Sequence, residues 1–121
     1  MSTSQDFAIE TAADGSVVAV KVRGDLDMST APALAEALAG TDGNTVTLDL
    51  GGVTFLDSSA LVVLISSGRD MVGRGGRLRI GPRSDVVAKV LAMTGLDQEA
   101  EAFDVLPDPP DGGPEQNRTT T

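Results

Sequence analysis

The sequence predicts one α/β domain, and three observations predict it. Segments with the two-residue period of β-strands alternate along the chain with segments that have helical spacing. The length of 121 residues suits a single domain. The composition is 40% hydrophobic with three Phe and no Trp or Tyr, which indicates one compact core built from Val, Leu, Ile, Met and Ala.

The predicted domain begins with two strands and a helix. Segments 5–11 and 16–23 alternate apolar and polar residues, and turn-forming residues lie between them. Ser29 or Thr30 can then cap a helix that ends at Gly40.

The second half of the chain continues the alternation of strands and helices. It predicts a strand at 45–50 and then a helix from about 58 to 72 that is apolar over most of its circumference. A short strand at 77–80 is followed by a helix opened by Pro82 and Ser84 and closed by Gly95. An edge strand or docked turn is predicted at 102–106. From residue 107 the chain is rich in Pro and polar residues. We therefore expect a domain over 1–106 and a disordered tail over 107–121.

The composition excludes several classes of function. The chain has no His, which excludes Ser-His-Asp catalysis and the common zinc sites, and it has no GxxxxGK[ST] nucleotide loop. The net charge of −9 argues against sequence-independent nucleic-acid binding. The chain has no run long enough to span a bilayer, no signal-peptide pattern at its start and no Cys. We expect a cytoplasmic protein with no membrane insertion, nucleic acid, metal, cofactor or catalysis of its own.

The segment DLDMS, residues 25–29, follows a predicted strand and raises an enzyme alternative. It matches the DxDx[TS] nucleophile loop of haloacid dehalogenase-type phosphatases. Those enzymes also need a downstream Lys and a paired acidic Mg²⁺ site, but no two acidic residues adjoin after Asp57, and Lys89 lies inside a predicted helix. We therefore favour a loop that caps a helix through Ser29, which leaves Asp27 unexplained.

A band of arginines begins near the end of the helix predicted over 58–72, with Asp70 as the only acid among residues 69 to 83. We expect a solvated face, and the alternative is a contact patch for an acidic partner. The arginines are Arg69, Arg74, Arg77, Arg79 and Arg83.

Three polar residues interrupt the apolar segment FLDSSALVVLI, residues 55–65, where a helix is predicted to begin. Asp57 or Ser58 can cap the helix, which is worth about 1 kcal/mol and needs only one of them. A further hydroxyl in the first turn is then available, and the free amides there favour an anion such as phosphate. Ser59 is a candidate phosphoacceptor, although the residues alone leave an ordinary helix start equally open.

Four segments together resemble a bacterial STAS domain, specifically the single-domain anti-sigma factor antagonists. They are GDLDMSTAPALAEAL (24–38), VTLDLGGVTFLDSSALVVLI (46–65), GGRLRI and VAKVLAMTGLD, in that order. The resemblance covers roughly residues 5 to 106. It implies a small mixed β-sheet of four to five strands with helices packed mainly on one side.

The resemblance also implies partners and a site. The partners are an anti-sigma factor serine kinase, which phosphorylates the second serine of the DSS element, and a metal-dependent serine phosphatase. The phosphorylated residue is then Ser59, and Asp27 is expected beside it. The implied partner-binding residues are Asp27, Asp57, Ser58, Ser59 and Ala60.

Two departures from the family pattern are mild: Asp25 stands where Glu is usual, and Ala60 where Gly is common. The same fold serves a second class, a STAS subunit that supports an ABC-type lipid transport ATPase without phosphorylation. A third possibility is a regulator that binds a kinase without being modified. Asp27 and the DSS element favour the sigma-regulatory hypothesis.

Overall fold

The computed structural model describes residues 7–41, 45–98 and 103–106. The predicted α/β class is confirmed, with a mixed sheet of five strands. The predicted tail, 107–121, lies outside the described residues. The elements are β1 (Ala8–Asp14), β2 (Val17–Leu26), α1 (Ala31–Ala39), β3 (Thr45–Leu56), α2 (Ser58–Gly73), β4 (Arg77–Arg83), α3 (Asp85–Thr94), a 3₁₀ turn (Leu96–Gln98) and β5 (Asp104–Val105).

The sheet follows chain order, β1-β2-β3-β4-β5. A tight turn, in which Gly15 has a φ of 66°, joins β1 to β2, so this pair is antiparallel. Each later strand is reached through a helix, and β2 to β5 therefore run parallel. Parallel strands bring their carboxyl ends to one edge of the sheet, and that edge holds the starts of the helices.

One hydrophobic core lies between the sheet and the three helices. Every second residue of the central strands points into it, and each helix contributes one stripe. Phe103 is also 1% exposed, so the core is not purely aliphatic as the composition suggested. The fully buried large side chains of the sheet and helices are Val20, Leu26, Leu34, Leu38, Leu48, Leu50, Leu64, Met71, Leu78, Ile80 and Leu91.

Helix α2 is less buried than its apolar sequence predicts. Its fully buried stripe consists of Ala60, Leu64, Gly68 and Met71, whereas Val62 is 63% exposed. The reason is the two-layer architecture: a helix packed on one face of a sheet buries one side only.

Strand β3 extends six residues beyond the predicted 45–50 because it tolerates two irregularities. It carries an extra residue opposite β2 near Gly52 and again near Phe55, which changes the face that its later side chains occupy. A Cβ on Gly52 would lie 2.6 Å from the Cβ of Arg23, so the strand passes too close to β2 for a larger residue. Pro82 was predicted to open α3, but it lies in β4, beyond the short stretch paired with β5.

Candidate functional site

The two polar segments singled out in the sequence begin neighbouring connections at the same edge of the sheet. Strands β2 and β3 end at the paired residues Leu26 and Leu56. The backbone N–H of Asp57 donates to the carbonyl of Leu26 at 3.1 Å. The segments that start with Asp27 and Asp57 therefore leave adjacent strands side by side, one into α1 and the other into α2.

Asp27 organises the start of α1. Its Oδ1 accepts hydrogen bonds from the Ser29 hydroxyl (2.7 Å), the Ser29 N–H (2.9 Å) and the Thr30 N–H (3.2 Å). Thr30 occupies the N-cap position, as predicted, but its side chain makes no capping hydrogen bond; its hydroxyl instead donates to the carbonyl of Asp25 at 2.7 Å. Asp27, which helix capping by Ser29 left unexplained, is the residue whose carboxylate satisfies the N–H groups of Ser29 and Thr30 just ahead of the helix.

The same contacts fix the charge of Asp27. The hydrogen bond from the Ser29 hydroxyl lowers the pKa of the Asp27 carboxyl; partial burial opposes it, and the N–H groups of Ser29 and Thr30 add to the lowering. The carboxylate is therefore ionised at neutral pH and places a fixed negative charge at this edge of the sheet.

Asp57 caps α2 in the ordinary way. Its backbone is extended, with φ −112° and ψ −176°, and its Oδ1 accepts the N–H of Ala60 at 3.2 Å. Ser58 is exposed and Ser59 half-buried. Within the described part of the chain, neither serine hydroxyl makes a hydrogen bond. One of the three polar groups serves the helix, and two hydroxyls remain available.

Ala60, a residue of the predicted surface, and Asp25, which stands where Glu is usual, are placed differently from the polar residues around them. Ala60 is 0% exposed, so its methyl group packs in the core and a partner surface has to be formed by the residues around it. Asp25 accepts a hydrogen bond from the Thr54 hydroxyl at 2.7 Å and thereby ties β2 to β3. At the start of α1, Asp25 contributes only its backbone carbonyl, which accepts the Thr30 hydroxyl.

Sequence reasoning missed three exposed apolar side chains next to the polar segments. Met28 is 75% exposed, Phe55 48% and Val62 63%. Val62 follows Ser58 by four residues and so shares its side of α2, a spacing visible in the sequence. Phe55 also points outward if the alternation of buried residues over 46–50 is continued, because the two irregularities in β3 offset each other there.

The arginine band does not form one isolated patch. Arg74 pairs with Asp70 at 3.1 Å, and Arg77 pairs with Asp104 of β5 at 2.7 Å. The hydrogen bond from Arg77 holds the pKa of Asp104 below its usual value, and the same bond raises the pKa of Arg77. The Arg77 pair joins the edge strand to the sheet.

Other kinds of site find little support. Across residues 7–41, 45–98 and 103–106, no cluster of acidic side chains is suited to hold a metal ion. A groove of about 600 Å³ lies between β1, β2 and α1, and it shares no residue with the two polar segments. None of the described helices combines the length and apolar character needed to cross a bilayer.

Comparison with known proteins gives one family and several relatives. The family model described as "Mlab, STAS domain" matches residues 9–107. The anti-sigma-F factor antagonist RsfB of Mycobacterium tuberculosis (strain ATCC 25618 / H37Rv) is 27% identical over 111 residues, which cover 89% of this chain and 90% of the relative.

Solved structures give the same picture. The crystal structure of an anti-sigma factor antagonist from Mycobacterium paratuberculosis matches with a TM-score of 0.74 at 27% identity, over 88% of this chain and 91% of that one. The Bacillus cell fate determinant SpoIIAA in its phosphorylated form shares the fold, with a TM-score of 0.60 at 19% identity over 84% and 91% of the two chains.

Proposed function

Because the chain belongs to the STAS domain family, we propose that it is an anti-sigma factor antagonist. It binds an anti-sigma factor that is also a serine kinase, and this binding frees the sigma factor. Phosphorylation of Ser59 by the same kinase ends the complex, and a metal-dependent serine phosphatase restores the active form. Relatives of nearly the same length that carry this function support the proposal.

The observation that carries the proposal is the state of the Ser59 hydroxyl. Asp57 already caps α2, and Ser59 makes no hydrogen bond among the described residues. The fold does not use the hydroxyl of Ser59, which is half-buried in the first turn of α2. This hydroxyl is therefore available to a partner's active site. The free amides of the first turn also favour the phosphate that would be formed there.

The surroundings supply a surface for the kinase. The exposed apolar side chains of Met28, Phe55 and Val62 flank the two polar segments. Apolar contacts contribute most of the affinity of protein interfaces, while charges such as those of Asp27 and Asp57 set orientation and partner choice. A kinase with an apolar surface rimmed by basic groups would fit this end of the domain.

The chemistry needs only a nucleophile from this chain. The Ser59 oxygen attacks the γ-phosphorus of ATP held by the kinase, its proton passes to a base of the kinase, and ADP leaves. The absence of His in the chain is compatible with this division of roles, since the general base and the nucleotide come from the partner.

Phosphorylation would then weaken binding through charge. Phosphoserine adds about −1.5 to −2 charges, and the helix terminus favours it by only about 0.3–1 kcal/mol. A unit negative charge about 6 Å from the phosphate would repel it by roughly 3 kcal/mol before screening, for an effective dielectric near 20, and Asp27 and Asp57 are the acids that begin the two polar segments. In the free protein the phosphate can turn toward water. In a complex the phosphate cannot turn toward water. The repulsion and the cost of desolvation would then weaken the binding of the kinase.

A reconstitution tests this function. The chain is added to a purified complex of an anti-sigma kinase and its sigma factor, first with a non-hydrolysable ATP analogue and then with ATP. We expect lasting release of sigma with the analogue and transient release with ATP. The Ser59→Ala variant should release sigma lastingly in both. Failure to release sigma from any candidate complex would contradict the proposal.

The second candidate is a STAS subunit that supports an ABC-type lipid transport ATPase. One observation favours it, namely that the matching family model is described as Mlab. The two functions differ in their dependence on Ser59. Co-purification with such an ATPase, unchanged by Ser59→Ala and without phosphate on the chain, would favour this second function.

A further inference from the structure

The described helices all pack on one face of the sheet, and the opposite face is polar and uncovered by them. On β2 the buried residues Val18, Val20 and Val22 alternate with exposed ones, so the exposed ones point to this opposite face. We call it the open sheet face. It consists of the outward side chains of segments 10–14, 17–21, 45–49 and 77–79.

Strand pairing arranges these side chains in rows across the sheet. One row runs from Asp14 on β1 through Val17 and Thr45 to Arg77 on β4. It has an acid at one end, two uncharged side chains between, and at the other end Arg77, which is also paired with Asp104 of β5. In the reverse direction, from β4 to β1, the row begins with a base and ends with an acid.

The next row has short side chains on its central strands. It runs from Ala12 through Ala19 and Thr47 to Arg79. Short side chains in the middle of a sheet face allow another sheet to approach to about 10 Å, the usual distance between stacked sheets.

The third row places opposite charges on the two central strands. Lys21 on β2 lies opposite Asp49 on β3, and Glu10 lies on the other side of Lys21. Within the described residues, Lys21 makes no ion pair within 4 Å. Its ammonium is therefore available to a carboxylate that approaches from above the sheet.

We propose that the open sheet face binds a second copy of this chain. The two sheets stack face to face around a two-fold axis that runs along the strands, between β2 and β3. Strand β1 of each copy then lies over β4 of the other, and β2 lies over β3. Each row meets its own reverse: Asp14 faces Arg77 of the second copy, and Lys21 faces Asp49 of the second copy.

The charges select this arrangement over the other face-to-face dimer. A two-fold axis across the strands would place β1 over β1 with the rows reversed. Asp14 would then face Glu10 of the second copy, and Lys21 would face Val17. Like charges opposed and charges set against apolar groups both disfavour association, whereas the axis along the strands avoids them.

The dimer is weak. Four strands about 4.8 Å apart and five residues of about 3.3 Å each give a flat footprint of roughly 320 Å² per copy, which is smaller than the roughly 800 Å² per partner of a stable interface, so we expect a transient dimer. The net charge of −9 on each copy opposes association further.

The dimer leaves the phosphorylation site accessible. The rows end at Asp49, whereas Ser59 lies past the carboxyl end of β3 and on α2, which packs against the other face. Both copies of the site lie at the same end of the dimer because the strands run in the same direction. The dimer therefore does not depend on the proposed function, and either can fail without the other.

Sedimentation equilibrium of the full chain alone, from about 10 µM to 1 mM, tests the proposal. The unchanged chain should show reversible dimers. Lys21→Glu and Asp49→Lys should each weaken association at least about tenfold, because each places like charges opposite one another at two symmetric positions. An equimolar mixture of the two variants should associate again, because the introduced carboxylate at position 21 then faces the introduced ammonium at position 49 in the other chain.

Lys89→Glu is the matched control, since it makes the same change of charge on exposed α3 and should leave association unchanged. Melting temperatures establish that each variant is folded, which matters for Asp49, whose Oδ1 accepts the Gly51 N–H at 2.9 Å. If Asp49→Lys does not fold, amide shifts of the unchanged chain on dilution decide instead. Shifts confined to segments 17–21 and 45–49 support the proposal. A monomer at 1 mM, a mixture that stays monomeric, or shifts centred on α2 would overturn it.

Discussion

The starts of α1 and α2 use the same residue types in opposite ways. Each follows a parallel strand with an Asp and carries a Ser two residues later, Asp27 with Ser29 and Asp57 with Ser59. At α1 the carboxylate holds the serine hydroxyl at 2.7 Å and two backbone N–H groups besides. At α2 the carboxylate accepts only the N–H of Ala60, and the serine hydroxyl is left unbonded among the described residues.

The difference separates a structural serine from one that is available for chemistry. The Asp27 carboxylate uses the hydroxyl of Ser29 together with two N–H groups ahead of α1, whereas the Asp57 carboxylate caps α2 without bonding Ser59. Local sequence is almost the same at the two sites. Only the geometry of the two carboxylates shows which hydroxyl the fold does not need.

The largest effect expected from this difference is on kinase binding. Phosphorylation of Ser59 should weaken the complex by about a hundredfold or more, which corresponds to roughly 3 kcal/mol. Titration calorimetry of the two forms against the same kinase measures it. Amide spectra should change only around the start of α2; changes spread over the whole sheet would mean that the phosphate disturbs the fold.

Removing the two carboxylates should destabilise the domain to different degrees. Asp57→Ala removes one capping hydrogen bond and should cost about 1 kcal/mol, or about 4–8 °C in melting temperature for a domain of this size. Asp27→Ala should lower the melting temperature more, because several donors lose one acceptor. Asp27→Asn, which retains an oxygen acceptor, is the control and should fall between Asp27→Ala and the unchanged chain. Equal losses for the two alanine variants would refute the comparison.

The paired serines offer a finer contrast. Ser29→Ala removes a hydrogen bond to an ionised acceptor and should cost about 1 kcal/mol, whereas Ser59→Ala should change stability by less than about 0.5 kcal/mol. Urea unfolding of the two variants gives both values. A clear loss for Ser59→Ala would show that the fold does use this hydroxyl.

Acid should act on the α1 side through Asp27. Its pKa in the folded protein is lowered from the model-compound value of 3.8, so the stability it contributes is present above about that pH and is lost as the pH falls through the lower folded value. The amide shift of Ser29 should titrate with a midpoint below 3.8. Asp27→Asn should abolish that titration, and a midpoint above 3.8 would contradict the hydrogen bonding described here.

Much of the fold could be predicted from residue patterns, and the failures have physical causes. Alternation found the buried side of β2 because that strand is regular until near its end. It failed for β3 after Leu50, where the extra residue near Gly52 turns Val53 into the core although alternation would place it outward. The apolar sequence of α2 suggested a central helix, because composition does not reveal that only one helix face meets the sheet.

The candidate site was predicted in part for similar reasons. A surplus of polar groups at residues 57 to 59 is visible in the sequence, since one cap needs one residue. The role of Asp27 is not visible in the sequence, because its hydrogen bonds depend on a loop conformation in which Thr30 turns its hydroxyl back toward Asp25. The sequence also does not show that Ala60 is buried and Ser58 exposed, because that depends on the orientation of α2 on the sheet.

The most direct test of the central claim is the position of the phosphate. The chain is incubated with purified candidate anti-sigma serine kinases and ATP, and the modified residue is located by tandem mass spectrometry. We expect phosphate on Ser59 alone, with Ser29→Ala modified like the unchanged chain and Ser59→Ala unmodified although it still binds the kinase. Phosphate on Ser58, Thr54 or Ser29 would contradict the claim that the unused hydroxyl of Ser59 is the switch.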